Sequence, residues 1–242
     1  FPSHPYGTQP TIGLVEHLKP PAYEDMVEYF EDWYAPNNMA IILAGDIDAS
    51  SAIPVLEASL GKLPVRQIGT PEPAVVLPMS TRVETVIEAE GETSILLGWQ
   101  TVSAKHEDRP ALEVLDMLVD NGSSGILNLT LTTKQKVAAA RSSPTFVKES
   151  GWWELSATAK EEQRPEDLEA LLLSVVEALK AGSFSDDDLA AVKLADELRH
   201  QQMLESPGAR VSMMTDAFIQ GREWADVVAS RARLQAVTRG DG

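Results

Sequence analysis

Apolar residues spaced three and four apart open the first readable element of the chain. Tyr23, Met26, Val27, Phe30, Trp33 and Tyr34 share one helical face, with Glu24, Asp25, Glu28, Glu31 and Asp32 on the other, which predicts an amphipathic helix. Pro36 ends it by disfavouring helical geometry at Ala35. Met39 to Ala44 is a continuous apolar run, broken at Gly45-Asp46, and predicts a short strand buried on both faces. A second helix is expected from about Ser51, through Val55, Leu56 and Leu60, with Gly61 as terminator. Residues 1–21, rich in Pro, Gly and Thr without a sustained period, read as a loop.

The pattern then lapses. Pro64, Pro71, Pro73 and Pro78 fall with Gly69 and Thr70 in a stretch that has no helical period, and residues 65–80 are read as an extended linker. Beyond it, strands are predicted at Val83–Ala89 and Ser94–Val102, joined at Glu90-Gly91. Pro110 starts a helix with Leu112, Leu115, Leu118 and Val119 in one stripe. Asn121-Gly122-Ser123-Ser124-Gly125 interrupts, and Ile126–Thr133 reads as a short helix. Two more strands are predicted near Val137–Val147 and Trp152–Ala159, turning at Ser150-Gly151, with Trp153, Leu155, Ala157 and Ala159 on one face. The remainder is helical. One helix runs from Pro165 to Gly182 with Leu168, Leu171, Leu172, Val175, Val176 and Leu179 as its apolar face. Another starts at a capping-box-like Ser185/Asp188 pair and runs to about Glu205, before Pro207-Gly208. Shorter helices are expected over 209–220 and 223–236.

Composition narrows the chemistry. The chain has 37 acidic and 20 basic residues, a formal net charge of −17, and such a field repels phosphate backbones and anionic membrane surfaces. The absence of cysteine excludes disulfides, thiolate zinc sites and a Cys nucleophile. The longest apolar run, Met39–Ala44, is far below the roughly 20 residues a membrane crossing requires, so a soluble protein is expected. The chain opens with Phe1 and reads as a processed product or an excised segment.

Candidate catalytic residues are few. His4, His17, His106 and His200 are all more than ten residues apart, whereas a helical zinc pair needs two His about three or four apart. Glu16-His17 resembles the end of a His-x-x-Glu-His zinc motif, but Gly13 stands where its first His belongs. His200, near Glu197 and Glu205, reads as part of a solvated polar face. No Gly-x-Ser-x-Gly elbow is present, and Gly122-Ser123-Ser124-Gly125 is too short for a phosphate loop. The acidic clusters at 161–162 and 186–188 read as surface and helix-start charge. Trp152-Trp153 is the least ordinary feature: adjacent strand residues point to opposite faces, so one packs in the core while the other is exposed or covers a groove.

One succession is more specific. His4-Pro5-Tyr6-Gly7, Ile12-Gly13, Glu16-His17-Leu18, the helix to Phe30 and Trp33-Tyr34, Pro36-Asn37-Asn38-Met39-Ala40, Ile41 to Asp46 and Leu60-Gly61-Lys62-Leu63-Pro64 follow in order. This resembles the pitrilysin/insulinase family of inverted-zincin metallopeptidases, in the stretch downstream of the zinc motif. The resemblance implies an α+β fold, with antiparallel-dominated sheets backed by helices in repeated domains. Residues 1–64 would be the C-terminal part of a first peptidase-like domain and 81–242 a second, non-catalytic one. It implies no catalytic and no metal residue in this chain, with zinc held by an upstream part of the parent protein. By the same correspondence Gly151, Trp152 and Trp153, with Asn121, Gly122 and Gly125 beside them, would fall at an exosite that anchors peptide substrates. The expected role is scaffold and substrate-chamber wall for peptide hydrolysis carried out elsewhere; the alternative is part of an inactive member acting as a structural or partner subunit. Expected partners are peptide substrates, the catalytic portion and the second half of the parent, and no nucleic acid. Compartment is not readable from the sequence; a periplasmic or secreted bacterial setting is compatible with the resemblance.

Overall fold

The computed structural model describes residues 1–19, 23–69 and 75–241. The chain divides into two compact units, Phe1–Ser80 with Pro207–Thr215, and Thr81–Ser206 with Asp216–Gly242. Part of the stretch read as a linker, Thr70, Pro71 and Pro73 included, and the end of the first loop lie outside the described residues.

In the first unit, residues read as loop contain a short helix α1 (Pro5–Thr8) and a 3-10 turn over Val15–Leu18. The His4 side chain starts α1, its Nδ1 accepting the Tyr6 N–H at 3.1 Å. Helix α2 (Tyr23–Trp33) forms where the period placed it. Its apolar face is uncovered: Tyr23 is 74% and Met26 70% exposed, and Phe30 stacks on Tyr34 at 4.9 Å in the open. Helix α3 (Ala49–Ser59) starts two residues earlier than expected, because Asp48 caps it by accepting the Ser50 N–H at 3.3 Å. Asn37 ties the segment after α2 to the one after α3 through its amide: Nδ2 donates to Arg66 O at 3.0 Å and Oδ1 accepts the Arg66 N–H at 3.3 Å. Among the described residues of this unit only His4 and Ala35 are buried.

The strand expected over Met39–Ala44 is not formed, and Met39, Ile41 and Leu43 are each about half exposed. The strand expected over Val83–Ala89 is likewise absent, with Val86 and Ile87 at 80% and 83% exposure. Both segments have strand-like composition, but a strand exists only as one side of a ladder, and neither finds a partner among the described residues.

The second unit is built on a sheet. Strands β1 (Ser94–Thr101), β2 (Ala139–Phe146) and β3 (Gly151–Thr158) pair antiparallel in the order β1-β3-β2. Register follows the alternation: Ile95 faces Ala157, which faces Ala140, Leu97 faces Leu155, and Trp99 faces Trp153, which faces Pro144. These inward positions meet helix α5 (Pro165–Lys180), which backs β1 and β3 through Leu168, Leu172, Val175 and Leu179. Helix α4 (Arg109–Val119) backs β2, and packs on α6 (Asp186–Glu205) and α8 (Trp224–Ala236) through Val114, Met117, Leu118, Leu189, Val192 and Leu234. Helix α7 (Pro207–Ile219) lies between α6 and α8 in the chain. Leu127, Leu131, Leu155, Leu168 and Leu172 are fully buried, and each such burial contributes about 1.5–3 kcal/mol. The capping box read at the start of α6 forms as expected, Ser185 Oγ accepting the Asp188 N–H at 3.0 Å and Asp188 Oδ2 the Ser185 N–H at 2.8 Å. The result is an antiparallel sheet backed by helices, the α+β architecture expected. Among the described residues no helix is long and apolar enough to cross a membrane.

Candidate functional site

Residues 120–125 and the β2–β3 pair come together around α4. The last turn of α4 supplies Asp116, whose Oδ1 accepts the Trp153 indole N–H at 2.8 Å and also the Ser142 hydroxyl. Burial raises the Asp116 pKa above the ordinary carboxylate value, against these two hydrogen bonds, which favour the charged form. One residue past the helix end, Asp120 turns the chain: Oδ1 accepts the Gly122 N–H at 3.1 Å and Oδ2 the Ser142 N–H at 3.1 Å. Asn121 Oδ1 then accepts from the Ser124 N–H at 2.9 Å and its hydroxyl at 3.0 Å, and Asn128 Nδ2 donates to Ser123 O. Below the loop a π turn, Asn128–Thr132, carries the buried Leu131.

Two glycines have steric reasons to be glycine. A Cβ at Gly125 would stand 2.6 Å from Val119 O and 2.8 Å from Asn121 N, and one at Gly151 would stand 2.3 Å from Val102 O and 2.6 Å from Thr145 O. Gly122, with φ +88°, has open space around it and is needed for its backbone conformation alone.

The structure therefore brings Asn121, Gly122 and Gly125 into one strapped loop, joined to Trp153 through the Asp116–Ser142 contacts. Trp153 faces the core and tilts on Trp99 at 5.4 Å. Trp152 points to the opposite face, between Gln100 and Thr145. Both tryptophans and Gly151 lie on β3, the central strand, which is hydrogen-bonded on both sides; the sheet's edges among the described residues are β1 and β2. On β2 the Ser142 N–H is taken by Asp120, and Pro144 has no N–H. The sequence reading passed over Asp116, Asp120 and Ser142. An acid at the end of a helix looks like surface charge until the strand it reaches is known.

The histidines serve locally or stand apart. His17 Nδ1 accepts the Leu14 N–H at 3.2 Å and His106 Nδ1 the Asp108 N–H at 3.1 Å, much as His4 does in α1. Among the described residues no three His, Asp or Glu side chains are grouped to hold a metal ion, so the donor set present does not fit a zinc centre.

Comparison with known proteins decides the family. The model of the peptidase M16 inactive domain matches residues 22–195. The chain belongs to that family. This is the family read from the ordered motifs between His4 and Pro64. It is 23% identical over 224 residues to the zinc protease PqqE of Helicobacter pylori, covering 90% of this chain and 50% of that protein. The crystal structure of a protease from Helicobacter pylori superposes with a TM-score of 0.81 at 18% identity, covering 95% of this chain and 57% of that one. The periplasmic protease PqqL from Escherichia coli superposes with a TM-score of 0.69 at 16% identity, covering 95% of this chain and 27% of that one. The chain thus spans about half the length of the Helicobacter pylori zinc protease. At these identities the structural likeness speaks for the M16 fold.

Proposed function

We propose that this M16 chain is the non-catalytic segment of a zinc metalloendopeptidase, supplying scaffold and substrate-chamber wall for peptide hydrolysis performed at a zinc site in another portion of the parent protein. The observation that carries this reading is the inactive-domain match over residues 22–195. In this reading residues 1–64 complete a first peptidase-like domain, 65–80 link, and 81–242 form the second. The uncovered face of Tyr23, Met26 and Phe30 on α2, with Tyr34 just past its end, is the surface we assign to the catalytic portion, since an apolar stripe of this size is stabilised by cover. Peptides are the proposed substrates, with Trp152 and the 121–125 loop at the wall they meet and Asn121, Gly122, Gly125, Gly151 and Trp153 holding that wall in shape. The Escherichia coli neighbour is described as periplasmic, and a periplasmic or secreted setting is our reading here.

The test is direct. The purified chain is assayed for zinc by elemental analysis and for cleavage of a fluorogenic peptide, alone and mixed with the catalytic portion of the parent. The chain alone is expected to hold no stoichiometric zinc and to cleave nothing, and the mixture to cleave. One equivalent of tightly held zinc with activity in the chain alone overturns the proposal. A parent whose own upstream portion binds no zinc would favour the structural-subunit alternative.

A further inference from the structure

A cluster of charges at the far end of α4 does not balance. Arg109 opens α4, its Nε donating to Glu113 Oε1 at 2.8 Å and its Nη1 to Ala104 O at 3.2 Å, with its guanidinium over the Phe146 ring at 5.2 Å. Arg233 on α8 donates from Nη2 to Asp226 Oδ1 at 2.8 Å and to Asp226 O at 3.1 Å. Each carboxylate of the cluster is thereby claimed by one guanidinium, and a third guanidinium remains. Arg222, in the turn before α8, has a side chain only 11% exposed. Among the described residues it makes no side-chain hydrogen bond; its Nε is buried and unpartnered, and the one carboxylate oxygen within 4 Å, Asp226 Oδ2, stands at 3.9 Å.

Arg231, whose side chain is 24% exposed, likewise has a buried Nε without a partner, but its terminal nitrogens are satisfied. Its two terminal nitrogens donate to Asp196 and Glu197 on α6. Arg222 instead faces the positive charge of Arg109, and burial first, then that charge, lowers its pKa from the ordinary arginine value. Lys105 stands beside the turn that carries Arg222. Its Nζ lies 3.3 Å from where a Cβ of Gly221 would stand, and Gly221 has φ +61°, so a side chain there would strain the turn and displace the ammonium. Leaving a sheltered guanidinium without hydrogen bonds costs free energy, which an oxyanion accepting hydrogen bonds from two of its N–H groups offsets. The rim is open, since Lys105 is exposed and Asp226 and Arg233 are nearly half exposed.

We propose that Arg222, with Arg109 facing it and Lys105 beside the adjoining Gly221, is the anchor of a binding site for a single compact oxyanion, a carboxylate or a phosphate group. The site lies wholly within the second unit and does not depend on the chamber-wall reading. Its acidic neighbours, Glu113 and Asp226, restrict it to one small anion and disfavour polyanions.

The arginine Nε–Hε resonances of the full chain report on it. Titration with inorganic phosphate, and separately with a short neutral peptide bearing a free C-terminal carboxylate or its amide, is followed at Arg222 and Arg109, with the exposed Arg164 as internal reference. Saturable shifts are expected at Arg222 and Arg109 and not at Arg164. Arg222→Gln is expected to weaken the response by about tenfold or more, with Arg222→Lys retaining part of it and a thermal melt of both variants reporting folding. Response to the free-acid peptide but not the amide identifies a peptide terminus as the source, and response to phosphate alone identifies a free phosphate group. Shifts at Arg222 no larger than those at Arg164, or equal affinity in a folded Arg222→Gln variant, overturn the site.

Discussion

Asp116 is a carboxylate held by two donors yet disfavoured in its charged state by burial, and the second effect prevails. The sign of its pH dependence follows. A group whose folded-state pKa is raised contributes stability that is fully present below the unfolded pKa and lost as pH rises through the folded one. Relative to Asp116→Asn, whose amide oxygen still accepts from Trp153 and Ser142, the native chain is expected to lose urea resistance as pH climbs out of the acid range. A difference between the two midpoints that does not move between about pH 3 and pH 7 would refute this. Such residues were illegible beforehand. Nothing in the spacing of Asp116, Ser142 and Trp153 announces a contact, because it is made by a helix crossing a strand. Arg222 was hidden for the same reason: its lack of a side-chain hydrogen bond is visible only once Arg109 and Arg233 are seen to hold the nearby acids.

At the scale of elements, legibility tracked how local the physics is. The period of α5, the capping box of α6 and the alternation of Trp153, Leu155 and Ala157 on β3 depend on neighbours within a few residues, and each was readable. Met39–Ala44 and Val83–Ala89 were misread because apolar, β-favouring composition says nothing of whether a pairing strand is at hand. The candidate exosite was half legible. Its residues do gather, but β3 is central, and the neighbouring β2 edge has its Ser142 N–H claimed by Asp120. Asp120→Ala is expected to speed hydrogen exchange at the Ser142 amide by about tenfold or more while leaving Leu155 protected. Unchanged exchange at Ser142 would mean that the carboxylate does not guard that edge.

Across the whole molecule the two units differ in how much apolar surface they bury. The second has two packed clusters behind its sheet, whereas the first buries only His4 and Ala35 among its described residues. Hydrogen exchange is therefore expected to be slow at Leu168–Leu172 and fast at Ile41–Leu43, and a dye that fluoresces on apolar surfaces is expected to bind along α2. The paired substitution Met26→Glu and Phe30→Ser is expected to abolish most of that fluorescence while changing the stability of the second unit by less than about 0.5 kcal/mol. Undiminished fluorescence would place the apolar surface elsewhere.

The proline on β2 has one more consequence. With Pro144 offering no donor and Ser142 already engaged, a second copy of the chain finds no continuous row on which to align at that rim. Crowded preparations are therefore expected to clump through the aromatic stripe of α2, in a form that mild detergent disperses, and not to grow ordered fibrils from that side of the sheet.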